Sequence, residues 1–127
     1  MCRALTTDEV LFFNTVPDML PVYETLLRRM QARHPVTTVV RKTQITLRNR
    51  HAFAMVSLPW RRVKGWPKEY LLVSFGLSYR KDSPRIASSV QPYPNRWTHH
   101  VIITHADQLD EELLAWLEEA YEFAMGK

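Results

Sequence analysis

The sequence predicts one α+β domain over residues 1–127, with an antiparallel sheet of about five strands and with N-terminal helices and a C-terminal helix packed on one face. Apolar residues recur at helical spacing near both termini, whereas β-branched and aromatic residues alternate with polar ones in the middle of the chain. The predicted hairpins are too short to contain the crossovers that parallel strands need. A chain of 127 residues buries a core without needing disulfides or a structural metal.

Two helices are predicted before the first strand. Thr7 offers a cap, and two acids follow it, which predicts a short helix up to about Phe13 that Pro17 ends. A second helix is expected from about Leu20 to Arg33, because apolar residues recur there every three or four positions.

The C-terminal helix is expected to begin at a cap formed by Asp107 and to end at Gly126. Acids at positions 110 to 112 suit the positive end of its dipole. Its apolar stripe is formed by Leu109, Leu113, Trp116, Leu117, Ala120, Tyr121 and Ala124.

The first hairpin is predicted to turn at Asn49 and Arg50, since asparagine tolerates the left-handed conformation of a tight turn. A two-residue loop would place Leu47 opposite Ala52. A longer turn would instead exchange the faces for half of the side chains assigned below. The same face would carry the pairs Ile45 with Ala54 and Thr43 with Val56. The opposite face would carry Gln44, Thr46, Arg48, His51, Phe53 and Met55.

The remaining strands are a third strand over residues 70–77 and a second hairpin that pairs residues 86–91 with residues 97–104. The third strand should point Leu71, Val73, Phe75 and Leu77 inward. In the second hairpin, alternation places Trp97 and His99 toward the core and His100 on the other face.

Charge is distributed unevenly along the chain. Residues 1–27 carry a net charge of −3, residues 28–105 carry +13 and residues 106–127 carry −6, which gives the total of +4. The middle of the chain is therefore the natural place for an anionic partner. The alternative is that basic strands and acidic helices neutralise each other, because charges within a Debye length of about 8 Å interact.

The densest basic and aromatic stretch lies between residues 60 and 68. Cations attract phosphates and indole rings stack on bases, so this stretch favours a nucleic acid or a nucleotide. The alternative is a solvated loop whose indoles pack on the domain. The candidate binding residues in this stretch are Trp60, Arg61, Arg62, Lys64 and Trp66.

A second candidate site follows the loop of the second hairpin. Arg96, with Trp97 beside it, can bind a carboxylate or phosphate, and His99 or His100 can transfer a proton near neutral pH. Adjacent histidines on a strand point to opposite faces, and no carboxylate or cysteine lies at ligand spacing, so no metal site is predicted. The alternative is that His99 hydrogen-bonds across the hairpin and that His100 is simply exposed.

Arg85, Arg41 and Lys42 complete the candidate ligand-binding residues. Arg85 is expected opposite Ile103, roughly 20 Å from the hairpin loop, so that it cannot share one small ligand with Arg96. Arg41 and Lys42 either add positive charge for a ligand or protect the edge of the sheet from aggregation.

Several classes of protein are not expected. The apolar runs are too short for a membrane-spanning helix and no leader is recognised, so a cytoplasmic protein without a membrane partner is expected. The single cysteine, Cys2, cannot form an internal disulfide, and neither a glycine-flanked serine nor a glycine-rich phosphate loop is present. No catalytic residue and no cofactor are predicted.

Several stretches carry a family resemblance. They are Arg41-Lys42-Thr43-Gln44-Ile45, Phe53-Ala54, Ser83-Pro84-Arg85-Ile86, Tyr93-Pro94-Asn95-Arg96-Trp97-Thr98-His99-His100-Val101 and the final Leu-x-x-Trp-Leu-x-x-Ala-Tyr helix. From about Pro21 to Ala124 the chain resembles an uncharacterised bacterial family of domains of unknown function, often attached to proteins labelled as predicted transport proteins. The resemblance implies a small α+β domain and no established activity.

The function expected from these residues is that of a non-enzymatic binding module for an anionic partner, either a nucleic acid or a nucleotide or other phosphorylated small molecule. A small-ligand pocket or enzyme that uses Arg96, His99 and His100 is one alternative. The other is a protein-interaction domain, in which homo-oligomers form through oppositely charged faces.

Overall fold

The computed structural model describes residues 7–14, 16–58 and 69–126. These residues form a six-stranded antiparallel sheet with helices on one face, which confirms the predicted fold class. The helices are α1 (Thr7–Phe12), α2 (Leu20–Gln31) and α3 (Glu111–Met125), and the strands are β1 (Thr37–Val40), β2 (Gln44–Arg48), β3 (Ala52–Ser57), β4 (Leu71–Leu77), β5 (Ile86–Tyr93) and β6 (Arg96–Ile103). The order across the sheet is β1-β2-β3-β4-β6-β5, so that β1 and β5 are its edges.

The start of α3 differs from the prediction. Asp110 caps the helix, because its carboxylate accepts a hydrogen bond from the backbone N–H of Leu113 at 3.1 Å. Asp107 lies instead in a short 3-10 turn, after which the backbone of Leu109, with φ −83° and ψ 63°, leaves the helical path. Gly126 follows the last turn of α3, as predicted.

One hydrophobic core lies between the sheet and the helices. Leu71, Val73, Phe75 and Leu77 are buried in it, as predicted, and the ring of Trp116 packs 6.1 Å from that of Phe75. Two contacts join α2 and the residues after it to α3, the pair Arg33–Glu111 at 3.2 Å and the pair His34–Glu118 at 2.8 Å. The helices therefore form one layer on one face of the sheet.

One acid belongs to this core. Glu9, which the sequence places in the first turn of α1, is fully buried. The hydroxyl of Tyr23 donates a hydrogen bond to its carboxylate, and that of Thr38 donates another at 3.4 Å. These hydroxyls satisfy a group that would otherwise be costly to bury.

The predicted register of the first hairpin is wrong. Leu47 lies opposite Ala54 and Ile45 opposite Val56, whereas Thr43 lies outside β2. A bulge makes Phe53 the extra residue of β3, and a bulge can turn two successive side chains to the same side. Phe53 therefore faces the helices rather than solvent, 3% exposed, with its ring 5.2 Å from that of Tyr121.

Turn geometry explains two further differences. Among the described residues other than glycine, only Asn95 has a positive φ, at 64°, so Asn49 does not adopt the predicted left-handed conformation. The strand β1 was not predicted, and it is joined to β2 by a tight turn in which the N–H of Arg41 donates to the carbonyl of Gln44 at 2.8 Å. The central register of the second hairpin is confirmed, with Ser89 opposite His99.

Candidate functional site on the open face of the sheet

The face of the sheet opposite α2 and α3 carries no helix within the part of the chain that the structure describes. We call it the open face. Along the central strands its residues alternate with the buried core residues, and cross-strand neighbours share the same face. Its central positions are Met55, Ser74, Gly76, Ser88, Thr98 and His100.

A serine and a histidine form the polar centre of the open face. Ser74 lies opposite His100, and Ser74 Oγ is 2.7 Å from His100 Nδ1. Ser74 is 4% exposed, and His100 is half-buried. Burial lowers the pKa of His100, so this side chain presents a neutral imidazole near neutral pH.

His99 occupies the other face and does not join this centre. It is fully buried, and its ring stacks on Phe75 with the ring centres 5.1 Å apart. Its Nε2 accepts a hydrogen bond from the backbone N–H of Lys81 at 2.9 Å, so it is bonded to the loop after β4 and not across the hairpin. Burial lowers the pKa of His99, and the nearby charge of Lys81 adds to that effect. The two histidines thus point to opposite faces, as predicted.

Arg96 lies at the start of β6, with its guanidinium against a glycine of β4. A Cβ at Gly76 would come within 2.6 Å of the guanidinium carbon of Arg96, so the guanidinium needs the space that glycine leaves. Its centre is also 5.9 Å from the ring centre of Phe123. A cavity of about 20 Å³ adjoins it, lined by Arg96, Ser74, Gly76 and Thr98 among others, with room for about one water molecule.

Four arginines without a carboxylate partner among the described residues lie at one end of the sheet, although Arg29 on α2 and Arg41 at the opposite end have none either. The end with the four arginines, which we call the hairpin end, is where β2 and β4 finish and where β3 and β6 begin. Among the described residues, Arg48, Arg50, Arg80 and Arg96 lie there or directly beside it, and none has a carboxylate within ion-pair distance. The guanidinium of Arg80 is centred 6.0 Å from the half-buried ring of Trp97.

Cations beside α3 are neutralised instead. Arg85 pairs with Asp110 at 2.8 Å and with Glu112 at 3.0 Å, and Lys81 pairs with Glu119 at 3.2 Å. The Arg85 guanidinium also lowers the pKa of the Asp110 carboxyl. For these residues the predicted alternative holds, in which basic and acidic segments pair within the domain.

The predicted site residues therefore fall into separate groups. Arg85 contacts the start of α3 and Arg96 contacts Phe123 near its end, about 20 Å away at 1.5 Å per helical residue, so they do not share a small ligand. Arg41 and Lys42 are exposed in the β1–β2 turn at the opposite end of the sheet. Trp60, Arg61, Arg62, Lys64 and Trp66 lie outside the described residues.

Several residues of the site were missed from the sequence. Gly76 is a lone glycine inside an apolar strand, which is a sign of a close approach by another group. Ser74 is the one hydroxyl in that strand, at a position that alternation assigns to the open face. Arg48, Arg50 and Arg80 carry no local signal, because only the strand order brings them together.

The described residues contain neither a metal-binding cluster nor a membrane-spanning helix. No group of three or more histidine, cysteine, aspartate or glutamate residues that could hold a metal ion occurs among them. None of the described helices is long and apolar enough to cross a membrane.

Comparisons with known proteins bear on the family and not on the activity. No curated protein and no solved structure gives a significant match to the chain. A family model described as a domain of unknown function (DUF5655) matches residues 10–124, a range that contains α2, all of α3 except its last residue, and every strand that the structure describes. This match agrees with the resemblance carried by the sequence motifs. The chain therefore belongs to the DUF5655 family of domains of unknown function.

Proposed function

We propose that this domain is a non-enzymatic, cytoplasmic binding module for single-stranded nucleic acid, which crosses the hairpin end of the sheet. The observation that carries the proposal is the set Arg48, Arg50, Arg80 and Arg96, which have no carboxylate partner in the described part of the chain, whereas Lys81 and Arg85 beside α3 do. Unpaired guanidinium groups are available to phosphates, and arginine binds phosphate through two parallel hydrogen bonds.

The spacing of the arginines suits a chain of phosphates. Arg48 on β2 and Arg96 on β6 are separated by three strand intervals, or about 14 Å. A single nucleic-acid strand of a few nucleotides is long enough to cover that distance. At the same end of the sheet, the guanidinium of Arg80 lies near the ring of Trp97, which is on the helix side of β6 and adds an aromatic surface there.

The shape of the open face favours an extended partner over a small one. The cavity beside Arg96 measures about 20 Å³, whereas pockets for small molecules usually measure about 300–1,000 Å³. Around it, Thr98 and the neutral His100 offer uncharged hydrogen-bonding groups, which suit sugar hydroxyls and base edges.

The proposal is tested by fluorescence anisotropy with labelled single-stranded DNA and RNA at two salt concentrations. Wild-type protein should bind more weakly at higher salt, and Arg96→Gln should lower the affinity about tenfold and reduce the salt slope by about 0.7. Arg28→Gln is the matched control, since Arg28 lies on α2 and pairs with Glu24 at 3.3 Å. Absence of binding at low salt, or equal binding by Arg96→Gln, would rule the proposal out.

A second candidate is a small-ligand site for a phosphorylated compound, and the Ser74–His100 contact of 2.7 Å is the observation that favours it. In that case Arg96 would hold the phosphate and His100 would accept a proton. Nucleotides and inorganic phosphate should then raise the melting temperature of the wild type, and His100→Gln should abolish the shift. A shift with oligonucleotides alone would favour the first candidate.

A further inference from the structure

A cleft lies in the helical layer, between the end of α2 and the start of α3, on the opposite side of the sheet from the open face. Its volume is about 320 Å³, within the range of about 300–1,000 Å³ that is usual for small-molecule pockets. The residues that line it are Arg29, Ala32, Arg33, Glu111 and Leu114. The domain therefore has room for a small molecule at a place that the nucleic-acid proposal does not use.

Arg29 is anchored at one side of this cleft. Its Nη1 donates a hydrogen bond to the backbone carbonyl of Leu109, a fully buried residue. Leu109 precedes Asp110, the N-cap of α3, so its carbonyl accepts no bond within that helix and is free for the arginine. A guanidinium has five N–H donors, so most of the donors of Arg29 remain available. No carboxylate of the described residues lies within ion-pair distance of them.

Arg33 supplies the second cation of the cleft. Its guanidinium is 3.2 Å from the carboxylate of Glu111, whose side chain is 87% exposed. An ion pair that is so exposed to solvent contributes little to stability. An incoming anion can therefore replace the Glu111 carboxylate beside Arg33 at small cost.

The other charges around the first turn of α3 do not cancel these two cations. Asp110 and Glu112 both pair with Arg85, at 2.8 Å and 3.0 Å, so Glu111 is the acid of this turn that an anion in the cleft would meet. The positive end of the α3 dipole lies at the cleft and the negative end of the α2 dipole opposes it. Each end equals only about half an elementary charge, whereas the two arginines carry full charges.

We propose that the cleft between α2 and α3 binds a small phosphorylated compound, with the phosphate held between Arg29 and Arg33 and the rest of the molecule against Ala32 and Leu114. A phosphate dianion matches two guanidinium charges, and each guanidinium can bind two of its oxygens. The apolar side chains of Ala32 and Leu114 suit a carbon skeleton. The proposal holds whether or not the domain binds nucleic acid, because none of these residues belongs to the hairpin end.

The first experiment titrates isotope-labelled protein with inorganic phosphate, and then with glycerol 3-phosphate, at constant ionic strength and follows the amide signals by NMR. Saturable shifts are expected at Ala32, Arg33 and Glu111, and Arg29→Gln should lower the affinity about tenfold. Arg28→Gln is the matched control, since Arg28 is the preceding residue and pairs with Glu24 at 3.3 Å.

Three results of this titration would overturn the proposal. They are the absence of saturable shifts at the cleft, equal affinity of Arg29→Gln and the wild type, and saturable shifts confined to Ser74 and Gly76, which would place the phosphate on the open face.

A second experiment removes the competing carboxylate instead of a ligand-binding group. Glu111→Gln frees Arg33 and should raise the affinity for both phosphate compounds several-fold. Glu112→Gln is its matched control, because it changes the net charge equally on the same turn but removes a partner of Arg85, outside the cleft. An equal gain in both variants would show a response to total charge, and no gain in Glu111→Gln would show that this carboxylate does not compete with phosphate; either result overturns the proposed site.

Discussion

Gly76 determines where the guanidinium of Arg96 can lie. Because a Cβ at this position would come within 2.6 Å of the guanidinium, we expect Gly76→Ala to displace the Arg96 side chain. The displaced group is the far end of a flexible side chain, so the melting temperature should change little while oligonucleotide affinity falls several-fold. Anisotropy and thermal unfolding measure the two effects.

The same substitution in an Arg96→Gln background distinguishes its cause. If Gly76→Ala acts through Arg96, it should lower the affinity no further once the guanidinium is absent, as in a double-mutant cycle. Additive losses in the double variant would show that the alanine disturbs the open face by another route.

His99 makes stability depend on pH. Burial lowers its pKa in the folded state, with Lys81 and His100 adding to the effect and Glu119 opposing it, so the unfolded chain binds a proton more readily. The contribution of His99 to the free energy of unfolding is therefore fully present above the ordinary histidine pKa, and it is lost as the pH falls. The free energy of unfolding should decrease between about pH 7 and pH 5, as denaturant titrations at each pH would measure.

The variant His99→Gln tests whether His99 causes this pH dependence of stability. His99→Gln retains an acceptor for the N–H of Lys81 but does not titrate, so its stability should vary less with pH than that of the wild type. His100→Gln serves as the comparison, because burial also lowers the pKa of His100. An unchanged pH profile in His99→Gln would contradict the role given to this histidine.

At the level of elements, the sequence predicted the features that follow a regular hydrophobic period. It did not predict local departures from that period, such as a bulge or a displaced helix cap. The alternation in β4 identified its buried side chains, since a strand with one buried face obeys a period of two. The bulge in β3 broke that rule, and so Phe53 was assigned to the wrong face. The cap of α3 was misplaced because Asp107 and Asp110 are equally good capping residues, and only the backbone at Leu109 selects the second.

At the level of the whole molecule, the candidate site was predictable only where its residues are neighbours in sequence. Alternation alone separated His99 from His100. The approach of Arg48, Arg50 and Arg80 to Arg96 depends on the strand order, which places β6 beside β4 and brings Arg48 and Arg50 to the same end of the sheet as a residue about 50 positions later in the chain. Patterns within short stretches of sequence do not predict which strands lie side by side in the sheet.

The division of the cations into two groups leads to a final prediction. Arg85 contacts two carboxylates, donates to the carbonyl of Gln108 at 2.7 Å and lies 5.8 Å from the ring centre of Trp116. We expect Arg85→Gln to cost about 1–2 kcal/mol of stability, from lost hydrogen bonds and packing, and to leave oligonucleotide affinity unchanged.

Arg80→Gln should give the opposite result. Arg80 has no carboxylate partner among the described residues, so its removal should lower oligonucleotide affinity several-fold and leave the free energy of unfolding nearly unchanged. Urea unfolding and anisotropy on both variants test the pair of outcomes. If both substitutions reduced affinity equally, nucleic acid would be responding to the total charge of the domain, and the hairpin end would not be a distinct binding surface.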